Sequence, residues 1–212
     1  VINVMRRLNL FSIVAAFLLV EAVILPWIAN AASEESFSIE QTFEKAKQSY
    51  LEKNMDSAAE QIKKSVSYMK AQAEKASDKG KKALNESAKE MEKLADDVKK
   101  GAVTSVKRIE KTFARAYVAL ASDSHVKSTE LWAKQEKEKT ADALDSAVTY
   151  LERSFAWAGQ KIETQTKEAM KQSKELSVNL KQKGSVLVED VGKNLKNAGN
   201  EIEKFGKRIS AK

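Results

Sequence analysis

The sequence predicts an all-α protein: an elongated helical bundle built from a duplicated three-helix unit with two long amphipathic helices, following an N-terminal signal peptide. Three observations predict it. The 212-residue chain has one proline, Pro26, and the remainder is rich in Ala, Lys, Glu, Gln and Leu, the residues that enter a helix at least cost. Apolar residues recur at spacings of three and four over long stretches, the signature of a helix with one buried face. No run of strand-forming residues exceeds the short Val186-Leu187-Val188.

The first element is the export segment, residues 1–31. Arg6 and Arg7 precede an apolar run from Leu8 to Ile28, and Pro26 breaks it. Ala29-Asn30-Ala31 then places small residues at both positions read by a signal peptidase, Ala29 and Ala31, so cleavage is expected after Ala31. Translation from Met5 would set the arginines at the very start. The competing reading is an uncleaved inner-membrane anchor, since about 20 apolar residues span a bilayer. Glu21 in the middle of the run opposes it, because a carboxylate in hydrocarbon is costly. Asn9 stands where a twin-arginine signal wants a large apolar residue. Export places the protein in the periplasm or cell envelope.

The helical part divides into two repeats, 32–120 and 121–212, forming one combined domain. The offset is 82 residues: Ser65-Val66-Ser67-Tyr68-Met69 answers Ala147-Val148-Thr149-Tyr150-Leu151. The same shift carries Leu94 to Leu176, Val98 to Leu180, Val106 to Val188 and Phe113 to Leu195. Each repeat reads as three helices. The first, short one is expected over 38–53 and 124–137, with Ser38 and Gln41 in the form of a capping box. Asp56 or Ser57 is expected to cap the second helix, which covers 57–77 and 139–158. Ile62, Val66 and Met69 face inward in one copy, and Leu144, Val148, Leu151 and Phe155 in the other. Gly80 and Gly159 lie where a left-handed C-cap wants glycine.

The third helix is the long one. Met91, Leu94, Val98, Ala102, Ser105, Ile109, Phe113, Ala116 and Leu120 share a register with Ala169, Ser173, Leu176, Leu180, Gly184, Leu187, Val191, Leu195, Ala198, Ile202, Phe205 and Ile209. Each stripe has heptad-like spacing with Lys and Glu on the other faces. Every buried Leu, Ile or Phe contributes about 1.5–3 kcal/mol. Gly184, Gly192, Gly199 and Gly206 each cost about 1 kcal/mol in a helix interior, so the last stretch is expected to be kinked, frayed or ordered only on binding.

Composition limits the chemistry. There is no cysteine and one histidine, His125, which excludes thiol catalysis, disulfides and cysteine zinc sites and leaves no histidine cluster. No cofactor or small-molecule substrate is expected. Without residues 1–31 the chain keeps 35 basic and 29 acidic side chains, net +6, spread as alternating charges along solvated helix faces. No basic–aromatic strip stands out, so nucleic acid is not an expected partner. Gly80-Lys81-Lys82 lacks the glycine-rich loop of a phosphate site, and Asn85-Glu86-Ser87 fits a glycosylation sequon of low specificity.

The stretch Ala46-Lys47-Gln48-Ser49-Tyr50-Leu51-Glu52-Lys53-Asn54-Met55-Asp56-Ser57-Ala58-Ala59 resembles the turn of a tetratricopeptide-type hairpin, where small residues let two antiparallel helices approach. The resemblance covers only the first two helices of each copy, and the full 34-residue period is absent. The pattern is also similar to the hairpins of YfdX-like exported helical proteins. Neither resemblance supplies functional residues.

Four residues are candidate interaction positions: Trp132, Trp157, Tyr150 and His125. Trp132, Phe155 and Trp157, with Tyr50, Tyr68 and Tyr150, have the spacing of core aromatics. Trp157 falls off the 144/148/151/155 stripe and is expected to be exposed or to face a partner. The offset matches His125 with Phe43, which gives the histidine a packing or surface role. Asp96-Asp97 and Glu189-Asp190 point about 100° apart on a helix and are expected to be solvated. The function expected is therefore a non-enzymatic envelope module for protein contact or self-association, a stress-related, chaperone-like holdase being one version. The alternative is peripheral binding to a membrane surface through the amphipathic C-terminal helix.

Overall fold

A computed structural model describes residues 38–182 and 186–211. The expected export segment with Ala29 and Ala31, residues 32–37 and Gly184 lie outside the described residues. Among the described residues the chain forms helices and no strand: α1 (Ile39–Leu51), α2 (Met55–Glu74), α3 (Asp78–Lys99), α4 (Val106–Ala133), α5 (Lys137–Trp157), α6 (Thr164–Lys181) and α7 (Val188–Ser210). The protein is an all-α bundle. No described helix is long and apolar enough to cross a membrane.

The helices close two rings that share α4. In the first, α1 packs on α2, α2 on α3, α3 on α4, and α1 on α4. In the second, α4 packs on α5, α5 on α6, α6 on α7, and α4 on α7. One apolar core runs from Phe43, Met91 and Phe113 to Phe155 and Phe205, and a smaller one holds Leu144, Leu176, Leu180, Val191 and Leu195.

The inward faces are those the spacing predicts, but the helices are cut differently. The expected long third helix is two helices in each half: α3 ends at Lys99 and α4 begins at Val106, while α6 ends at Lys181 and α7 begins at Val188. Gly101 adopts φ +68°. Its N–H and that of Ala102 return to Val98 and Asp97, which satisfies the last carbonyls of α3 and stops it. Ser105 then caps α4 through Lys107 N–H at 3.3 Å. Tyr50 pins the connection, its hydroxyl donating to Val103 O at 2.8 Å. Among the described residues, the stripe members between these helices, Ala102, Ser105 and Leu187, are exposed.

Conversely, the short helix expected over 124–137 is not separate. It is the C-terminal part of α4, which runs on through His125 because Ser122-Asp123-Ser124 carries no breaker.

The caps correct other details. Ser38 begins α1, but its side chain makes no cap bond. Asn54, rather than Asp56 or Ser57, caps α2, accepting from Ser57 N–H at 3.1 Å. Gly159 is a left-handed C-cap at φ +61°. Gly80 is not, since it sits in the first turn of α3. There a Cβ would run into Asp123 Oδ1 of α4, so glycine is required for close approach. Through Gly192, Gly199 and Gly206 α7 is one continuous helix.

Candidate functional site

Trp157 is buried, 7% exposed, rather than displayed to a partner. It closes an aromatic cluster in which Phe43 stacks on Phe113 at 3.9 Å between ring centres and Trp157 meets both edge-on. Its stripe mates place it slightly off the helix face, yet α1 covers that flank, which no single-helix pattern reveals. The polar edge of this cluster is organised by Glu40. One carboxylate oxygen accepts from Trp157 Nε1–H at 3.2 Å, and the other takes both the Tyr117 hydroxyl and the Arg153 guanidinium. Burial, then the neighbouring Glu40, hold the Tyr117 phenol well above its ordinary pKa. Lys47 lies 5.4 Å from the centre of the Trp157 ring. Tyr117, Trp157 and Arg153 all donate to this one carboxylate, so the arrangement fastens α1, α4 and α5 together.

Tyr150 sits beside it, its ring 6.0 Å from that of Tyr117, and shares a hydrogen bond with Tyr68. Burial raises the Tyr68 phenol above its ordinary value, followed by Tyr150. Trp132 is half-buried against the smaller core. His125 faces α7, with Nε2–H donating to Leu195 O at 2.8 Å. Its ring lies against Gly199, where a Cβ would stand 2.6 Å from Cε1. Burial lowers its pKa more than the carbonyl raises it. Trp132, Trp157, Tyr150 and His125 thus form no common surface. Among the described residues no group of three or more His, Asp or Glu side chains is placed to hold a metal.

Of the paired carboxylates, Asp97 is ion-paired to Arg108, while Glu189 and Asp190 are exposed. That pair belongs to a clamp between α3 and α4. Arg115 grips Glu90 with both Nε and Nη2, the first at 3.0 Å. Such forked guanidinium–carboxylate bonds fix two helices in register.

The corresponding face of α6 and α7 is open. An offset of 82 turns Glu90 and Arg115 into Gln172 and Asn197, and Asp97 and Arg108 into Asn179 and Asp190. Both ion pairs are lost. A groove of about 540 Å³ is lined by Gln172, Asn179, Asp190, Asn194 and Asn197, together with Leu176, Val186 and Leu187. It continues past Gln172 and Asn197 into a second section of about 490 Å³ lined by Gln165, Asn200 and Glu201. Among the described residues the side chains of Asn179, Asn197 and Asn200 make no hydrogen bond, while Gln172 bonds Glu168 and Asn194 bonds Ser173. Glu201 is 6% exposed and takes the Thr166 hydroxyl on one oxygen.

Sequence reasoning missed this groove because each of its residues looks like an ordinary polar surface position. The offset contains the signal, but only once Glu90–Arg115 and Asp97–Arg108 are known to touch. Comparison with protein-family models, with curated proteins and with solved structures finds no match for this chain.

Proposed function

We propose that this protein is a non-enzymatic, exported helical interaction module of the cell envelope, and that its binding face is the groove between α6 and α7. The observation that carries the reading is the lost clamp: the interhelical ion pairs that seal α3 against α4 have amides and a lone aspartate at the matching positions of α6 and α7. Residues 1–31 support export by their arginines, apolar run and Ala29-Asn30-Ala31 site. Duplication gives the asymmetry an origin. α2 and α5, and likewise α4 and α7, begin 82 residues apart, and α3 and α6 end 82 apart. The cross-helix pair Lys70–Glu92 at 2.5 Å recurs as Glu152–Lys174 at 2.7 Å with the charges exchanged. In this reading one copy kept the structural seal and the other became free to bind.

The test is a photo-crosslinking residue at Asn197 of the full-length chain in its native envelope, with the same residue at Lys64 on α2 as control. A discrete adduct from position 197 alone is the expected result. Adducts from neither position, or equally from both, would sink the reading.

A second reading, contact with a membrane surface, is favoured by Leu187 and Val188, 69% and 72% exposed at the start of α7. It predicts that Leu187→Ser with Val188→Ser lowers co-flotation of the chain with anionic vesicles, and an unchanged flotation would dismiss it.

A further inference from the structure

Resting on the groove assigned above, we propose that its occupant is a short, extended polypeptide segment bearing lysine or arginine, held by its main chain on the side-chain amides of α6 and α7. Four of the six asparagines after residue 31 line this one groove: Asn179, Asn194, Asn197 and Asn200. A side-chain amide offers both a donor and an acceptor, which is the complement of a peptide unit. Asn179, Asn197 and Asn200 have those groups uncommitted among the described residues.

Other occupants fit less well. Among the described residues no aromatic side chain lines either section, so a nucleobase finds no face there on which to stack. An amphipathic helix needs an apolar groove, and this lining is mainly polar, its apolar members being Leu176, Val186 and Leu187 in one section and Ala169 in the other. The charge points to the side chains. The chain as a whole is +7, yet the lining carries Glu168, Glu175, Asp190 and Glu201 against Lys193 alone. Length follows from the walls: Gln165 to Asn179 on α6 spans roughly 21 Å at a helical rise of about 1.5 Å per residue, which matches about six residues of extended chain.

The experiment is fluorescence anisotropy of the full-length chain with labelled hexapeptides alternating Lys and Ser, their Glu–Ser counterpart, and a backbone N-methylated Lys–Ser version. The Lys–Ser peptide is expected to bind, and N-methylation, which removes main-chain donors, to weaken it by at least about tenfold. The Glu–Ser peptide is expected not to bind. Gln172→Glu with Asn197→Arg rebuilds the Glu90–Arg115 clamp in the second half and is expected to abolish binding while circular dichroism stays helical. Should that variant misfold, Asn197→Ala with Asn200→Ala removes the amides without adding charge and carries the same expectation. Equal binding of the N-methylated peptide, undiminished binding by whichever variant folds, or no binding of the Lys–Ser peptide at millimolar concentration overturns the proposal. A crosslinked adduct at Asn197 together with no peptide binding would leave the interaction reading standing and remove only this occupant.

Discussion

Lys53 and Gln135, 82 residues apart, hold the same left-handed backbone conformation, φ +62° and +61°. Each ends a helix in the same way. The N–H groups of Lys53 and Asn54 return to Tyr50 and Ser49, and those of Gln135 and Glu136 to Trp132 and Leu131. A side chain in this region is disfavoured by about 1–2 kcal/mol, whereas glycine enters it freely. Lys53→Gly and Gln135→Gly are therefore each expected to stabilise the fold by about 0.5–1 kcal/mol, against the usual cost of glycine. Thermal unfolding of the two single variants decides it, and a fall in Tm for either contradicts the account.

Two glycines of α7 are expected to respond in opposite directions. Gly199→Ala would place a Cβ 2.6 Å from His125 Cε1, so the imidazole or α7 itself must shift, at a cost of about 1–3 kcal/mol. Gly192 has nothing within 4 Å of that position, and Gly192→Ala gains about 0.5–1 kcal/mol of helix propensity. Urea denaturation of both, and of Gly199→Ala combined with His125→Ala, checks the cause. The histidine truncation should recover most of the loss.

Glu40 is the single acceptor shared by Tyr117, Trp157 and Arg153. Glu40→Ala strands two buried donors, and about 2–4 kcal/mol of stability is expected to go with them. Glu40→Gln keeps one acceptor oxygen and should lose visibly less. Equal stability of wild type and Glu40→Ala in urea would show that these bonds are not what fastens α1.

His125 sets a pH dependence. Its pKa is lowered below the ordinary 6.5 by burial against α7, so the unfolded chain binds the proton more readily than the folded one. Stability contributed by the neutral imidazole is full above 6.5 and is lost as pH falls from there toward the folded pKa. The difference in unfolding free energy between wild type and His125→Gln is expected to shrink over that interval. A difference independent of pH would mean that the ring is hydrated in the folded state.

Much of the architecture is legible along the chain because helix formation and burial are periodic. Met91, Leu94 and Val98, or Val191, Leu195 and Phe205, announce their inward face by spacing alone. The cuts were not legible. Apolar spacing continues from α3 into α4 and from α6 into α7 as though one helix crossed each connection, and between α3 and α4 only Gly101 with its left-handed turn, held by Tyr50 from α1, shows the break. Trp157 was misplaced for a related reason: its burial is supplied by Phe43 and Glu40, 114 and 117 positions away.

By itself the sequence determined that this chain is helical and which side of each helix turns inward, and it carries a similar apolar frame twice at an offset of 82 residues. These are local or periodic properties, and they follow from backbone propensity and the transfer of apolar surface out of water. Only the tertiary structure decided which polar residues meet. Glu90 and Arg115 are alike in the sequence to any solvated pair, and Gln172 and Asn197 to any solvated amides. Contact between helices depends on rotation and register set by the whole core, and that contact distinguishes a sealed face from an open one.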